Sequence, residues 1–195
     1  MKGRRKERQG AAGAPELYID DLVLYGLIGA KRRLPSQEKF ARLARENKYV
    51  LNIGGWRSGK TVEVCVQGVM AALEHPGSFG GVFRAVEASI EDSILRTWFA
   101  VCPREVVEDY NITRKHLRFK NGSEVIFRGF DKIAYLSKLR SVELDWFIVC
   151  QAEEITLEDF RLLQSRLNGK RGPRKGWLEA NPAGRNWLWQ WFIGG

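Results

Sequence analysis

Gly54-Gly55-Trp56-Arg57-Ser58-Gly59-Lys60-Thr61 satisfies every fixed position of the phosphate-binding pattern G-x-x-x-x-G-K-[ST]. Just upstream, Tyr49-Val50-Leu51-Asn52-Ile53 reads as a short buried strand. Downstream, Val62, Cys65, Val66, Val69, Met70 and Leu73 recur at helical spacing, and His75-Pro76-Gly77 stops the helix. Strand, glycine-bounded loop and helix form the setting in which such a loop binds phosphate. Backbone N–H groups wrap the β-phosphate, and the helix N-terminus adds the positive end of its dipole. Lys60 then reaches the β- and γ-phosphates, and the Thr61 hydroxyl is placed to ligate Mg²⁺. A turn that matches by chance is the competing reading, and the flanking pattern weighs against it.

Outward from the loop, the 195 residues suffice for one α/β domain with a real core and are too few for two comfortable ones. No apolar run approaches the ~20 residues of a membrane helix, and the basic start Met1–Gln9 is not followed by a secretory-type apolar stretch. Cys65, Cys102 and Cys150 are isolated and odd in number, matching neither a disulfide framework nor metal-ligand spacing. A reducing, intracellular setting is therefore expected. The net charge of +9 favours a polyanionic partner such as nucleic acid. Much of that surplus lies in Lys2–Arg8, Lys31-Arg32-Arg33 and Lys170–Lys175, which could equally be solvated ends and loops.

Residues 1–15 are expected to form a disordered basic tail, and residues 16–195 a single domain. Helical segments are expected over Glu16–Gly29, from Pro35 to about Glu46, and from about Ala88 to Val101, where Pro103 ends the last one. Gly81–Arg84 is a second strand candidate. Leu117–Phe119 and Glu124–Arg128 alternate around Asn121-Gly122, a strong hairpin signal. Trp146-Phe147-Ile148-Val149 is the continuous apolar run of a central strand covered on both faces. Thr156 caps a helix reaching about Leu167, and Gly176–Ala180 is the last strand candidate. Strands alternating with helices around a phosphate loop imply an α/β fold with a mostly parallel sheet flanked by helices.

Five segments taken together resemble the large terminase subunit of tailed bacteriophages, whose N-terminal ATPase domain pumps DNA into empty capsids. They are Pro35-Ser36-Gln37, with Gln37 lying 23 residues before Lys60; the arginine-containing loop Trp56–Thr61; Phe119–Phe127; Leu139–Ile155, similar to the Walker B region; and Asn181-Pro182 followed by Trp187 and Trp189-Gln190-Trp191-Phe192. The resemblance covers about residues 34–192. It implies a P-loop NTPase of the ASCE, RecA-like type with a β-hairpin insertion, and ATP and Mg²⁺ as cofactors. Gln37 would hydrogen-bond the adenine edge, and Gly54, Gly55, Trp56, Arg57, Ser58, Gly59, Lys60 and Thr61 would hold the nucleotide. Arg140, ten residues before Cys150, would be an arginine finger reaching a neighbouring subunit's γ-phosphate; Arg57 could act similarly in cis. Asn181 would sense the γ-phosphate and couple turnover to movement. The implied partners are double-stranded DNA, the portal of the procapsid, the small terminase subunit and further copies in a ring. A monomer in isolation, and the cytoplasm of an infected bacterium, also follow.

One departure qualifies this reading. Cys150 and Gln151 stand where the family carries the acids for Mg²⁺ and for activating water. A neutral thiol is a poor ligand for a hard cation, and an amide can orient water but not take its proton. Three explanations stay open: Glu153 or Glu154 supplies the carboxylate; metal binding rests on Thr61, phosphates and water with slow turnover; or the chain binds nucleotide and hardly hydrolyses it. The rival functions are a nucleotide-gated assembly module and a fragment of a helicase-like DNA translocase. After Ile155 the acids are Glu158, Asp159 and Glu179, from which no nuclease site can be assembled, so an isolated motor domain is expected.

Overall fold

The computed structural model describes residues 21–132 and 141–194; the basic tail 1–15 and Arg140 lie outside the described residues. Helices α1 (Asp21–Leu27) and α2 (Pro35–Glu46) precede β1 (Tyr49–Ile53), which leads through the glycine loop into α3 (Lys60–Glu74). Then come β2 (Phe79–Arg84), a π-helical turn Ile90–Leu95 continuing into α4 (Arg96–Val101), β3 (Val107–Asn111), β4 (His116–Phe119) and β5 (Glu124–Gly129). The last third holds β6 (Trp146–Val149), a 3₁₀ turn Ala152–Glu154, α5 (Leu157–Arg166), β7 (Lys175–Ala180) and α6 (Trp187–Phe192).

The strands form one sheet in the order β1-β7-β6-β2-β5-β4-β3. The first five run parallel, and β4 and β3 are added antiparallel. Both faces are covered, which explains the unbroken apolar run of β6. Trp146 and Ile148 enter the core shared with α3 and α4, whereas Phe147 and Val149 enter the core shared with α5 and α6. Such alternation follows from the period-2 geometry of a strand. The indole of Trp146 stacks on Trp98, with centroids 6.4 Å apart and planes 10° off parallel. It also crosses directly above Gly80, where an added Cβ would meet Trp146 Cζ2 at 2.1 Å. Glycine is therefore required there by space. Because Trp146 is fully buried, Trp146→Ala is expected to cost about 3–5 kcal/mol, measured by chemical denaturation. A loss below about 1 kcal/mol would mean that the site collapses around the deletion.

Three local features differ from the sequence expectation. The helix anticipated from Ala88 starts there but winds as a π turn over Ile90–Leu95, and Arg84 is bound into it: its Nη1 donates to Ser89 O (3.0 Å) and Ser93 Oγ (2.9 Å). The hairpin forms as read, yet β5 also pairs with β2, making it a full member of the sheet. Its turn has positive φ at Gly122 alone, and Asn121 is buried because its Nδ2 donates to Ala72 O and Leu73 O at the end of α3. Finally, β3 was not anticipated. It is a polar, bulged strand with Glu108 and Asp109 exposed, and it lacks the alternation that marks a half-buried strand.

Candidate nucleotide site

The loop spans Gly54 to Gly59 at the carboxyl edge of the parallel strands, between β1 and α3. Gly59 adopts φ +78°, which a side chain would strain, and its position as N-cap leaves the first turn of α3 without a side-chain cap. The leading N–H groups of that turn thus keep their donors free of side-chain partners, as anion binding requires. Arg57 is also left-handed, at φ +58°. Lys60 is buried, and its Nζ donates to Gly54 O and Gly55 O (both 2.8 Å), Ser58 Oγ (3.5 Å) and Asn181 Oδ1 (3.3 Å). The ammonium is therefore already held within the loop. Trp56 projects from its lip, 83% exposed.

Gln37 braces this loop from α2. Its Nε2 donates to Gly59 O (3.1 Å), and its Oε1 accepts from Leu34 N–H (2.8 Å). The side chain is 5% exposed, so one amide N–H and the carbonyl are committed to backbone.

The end of β6 lies across the same cleft, which has a volume of about 280 Å³ and is lined by Lys60, Thr61, Arg84, Cys150, Gln151 and Asn181 among others. Cys150 is buried, and burial first, then the nearby Glu179 and Cys65, pushes its thiol well above the ordinary range, with Arg84 opposing. It stays a neutral sulfur, unsuited to a hard cation. Gln151 turns the chain at φ +52°, and its Oε1 is buried without a hydrogen-bond partner among the described residues. Glu153 accepts from Asn181 Nδ2 at 2.8 Å. Glu154 is exposed and lies 3.8 Å from Arg84 Nε. Lys60, Asn181 and Glu153 are thereby joined in one chain of contacts, while Glu154 points to Arg84.

One site residue escaped the sequence reading. Glu179, on β7, is 3% exposed and lines the cleft; its Oε1 accepts from the Thr61 hydroxyl (3.3 Å) and from Gln151 N–H (3.1 Å). Burial pushes its carboxyl above the usual range, the Gln151 N–H and the Lys60 ammonium pull it back, Glu153 adds to the rise, and the Thr61 hydroxyl again lowers it. In sequence Glu179 is one acid inside an apolar strand, and only the insertion of β7 between β1 and β6 brings it to Thr61. Oxygen donors at Thr61 and Glu179 fit a small hard cation accompanied by phosphate and water.

A mostly parallel sheet with this loop at its carboxyl edge defines a P-loop NTPase domain of the RecA-like build. The family model for the phage terminase large subunit matches residues 46–194, and the chain belongs to that family. It is similar to the PBSX phage terminase large subunit of Bacillus subtilis (strain 168), at 28% identity over 157 residues, covering 76% of this chain and 34% of the relative. Among solved structures it is similar to the Thermus phage P74-26 large terminase ATPase domain, with a TM-score of 0.67 and 22% identity over 88% of this chain and 73% of that one. The large terminase of a thermophilic bacteriophage in complex with ADP matches with a TM-score of 0.66 and 16% identity, over 82% of this chain and 42% of that one. The chain thus spans about a third of the length of the curated relative it matches.

Proposed function

We propose that this chain is the ATP-hydrolysing motor domain of a genome-packaging terminase, driving double-stranded DNA into a procapsid. The observation that carries this reading is the convergence of Lys60 and Thr61 with Asn181 and the end of β6 in one cleft. Family membership and a structural relative in complex with ADP support it. Lys60 would neutralise the transferring phosphoryl, and the N–H groups of Gly55–Thr61 would cradle the polyphosphate, that of Gly54 being held by Ala180 O. Thr61 would ligate Mg²⁺, which supplies charge neutralisation at the phosphates. Gln37 would offer adenine its second amide N–H while the first holds Gly59. Glu153, tethered to Asn181, is the better-placed carboxylate for orienting water; Glu154 would instead steady Arg84. Asn181 would report γ-phosphate to the segment leading into α6. Arg57 in cis and Arg140 in trans remain the candidate phosphoryl-stabilising arginines. In the whole assembly the partners would be DNA, portal, small subunit and sister copies in a ring, in the cytoplasm of an infected bacterium.

A second reading, the nucleotide-gated assembly module, is favoured by one observation: neither Cys150 nor Gln151 can act as an acid or base in the cleft. Steady-state phosphate release with and without double-stranded DNA separates the two. The motor reading expects low basal turnover that rises on adding DNA, and DNA affinity that falls steeply with salt as counterions are released. Nucleotide binding without turnover, with or without DNA, would establish the gated module instead.

A further inference from the structure

Strand β6 ends without a carboxylate, while one strand away a buried carboxylate touches the Thr61 hydroxyl. We propose that Glu179 supplies the metal-side carboxylate of the nucleotide site, taking on from β7 the task that Cys150 cannot perform from β6. This deepens the ATP-motor reading and rests on nucleotide binding at the loop.

Strand register is the first argument. Val149 pairs with Leu178 in the parallel β6–β7 ladder, so the next residues along, Cys150 and Glu179, are neighbours across the ladder. Laterally paired residues of parallel strands direct their side chains to the same face, and adjacent strands lie about 4.8 Å apart. A carboxylate moved from position 150 to position 179 therefore shifts sideways by one strand and keeps its aim toward α3. Its contacts are the second argument. Glu179 Oε1 lies 3.3 Å from Thr61 Oγ1, the one protein oxygen that phosphate-loop chemistry commits to Mg²⁺. Since Mg²⁺ keeps several of its waters, a carboxylate acting through water suffices. Burial is the third. Glu179 is 3% exposed, and its hydrogen bonds come from a hydroxyl and a backbone N–H, with no ion pair to Lys or Arg among the described residues. Burying a carboxylate whose hydrogen-bond partners are all neutral is costly even with the Lys60 ammonium nearby, and a bound cation offsets that cost. The neighbouring sulfurs, Cys150 and Cys65, are chemically unsuited to the same ion.

The test is the affinity for ATP-γ-S by titration calorimetry, in excess Mg²⁺ and in EDTA. Wild type is expected to bind on the order of 10-fold tighter with Mg²⁺, the lower end of the range that supporting groups add to metal sites. Glu179→Gln keeps the shape and the acceptor for Thr61 and Gln151 but removes a negative charge beside the polyphosphate, so its affinity in EDTA should be no weaker than that of wild type, while its affinity in excess Mg²⁺ falls below that of wild type and the Mg²⁺-dependent gain disappears. Adding Cys150→Asp to Glu179→Gln should restore the gain, whereas Cys150→Ala alone should leave the wild-type gain intact. A full Mg²⁺ gain in Glu179→Gln, or its loss in Cys150→Ala, overturns the assignment alone. Absence of ATP-γ-S binding by wild type in both buffers would overturn the motor reading, and this assignment with it.

Discussion

Lys60→Ala is expected to reduce ATP turnover by about 10²–10³-fold, the usual effect of removing one preorganised donor from a developing negative charge. Affinity should fall too, since each charge-assisted hydrogen bond contributes about 1.5–3 kcal/mol. Geometry makes this substitution a clean probe. The Lys60 ammonium bonds Gly54 O, Gly55 O, Ser58 Oγ and Asn181 Oδ1, all within the loop or the facing strand end, and none in the hydrophobic core. The fold should therefore survive, as circular dichroism and the denaturation midpoint would record. Unchanged nucleotide affinity in a folded Lys60→Ala protein would remove the site assignment.

Gln151→Glu should move activity the other way, raising turnover with saturating Mg²⁺, ATP and DNA by about 100-fold. A positioned proton acceptor contributes roughly 10²–10⁴-fold to such steps, and the lower end is appropriate here because Glu179 and Glu153 are close enough to oppose another negative charge. The position is suitable because Gln151 Oε1 is buried in the cleft without a hydrogen-bond partner among the described residues, and the left-handed backbone at φ +52° is already tolerated by a long side chain. A glutamate adds a base of the same length and shape, at the cost of a further negative charge beside Glu179. If phosphate release does not increase, the attacking water does not approach from residue 151, and Glu153 becomes the stronger candidate.

Legibility of the fold followed the range of the interactions that determine it. The loop, β1 and β6 were readable to the residue, because each is defined by a local pattern: fixed glycines, a short apolar run, or an unbroken run buried on both faces. Thr156 was readable as the cap of α5, since a cap involves three or four consecutive residues, and its hydroxyl accepts from Asp159 N–H. The π turn after Ser89 was not, because it accompanies the capture of Arg84 from the neighbouring strand. Strand β3 was hidden by its charged side chains. Lys60 and Thr61, expected from motif positions, and Asn181, expected from the family resemblance, all line the cleft. Glu179 was missed because its proximity to Thr61 exists only through strand order, the two lying 118 positions apart in sequence. The bracing of Gly59 by Gln37 likewise depends on how α2 lies against the loop.

The amide of Asn181 is divided between two neighbours, its oxygen facing Lys60 and its nitrogen facing Glu153. Any rotation of that amide breaks both contacts together, since a single planar group turns as a unit. Phenotypes at this residue will therefore come mixed: a variant chosen to silence one conversation will disturb the other. Only substitutions made at both ends, taken in pairs, can tell which of them the asparagine was listening to.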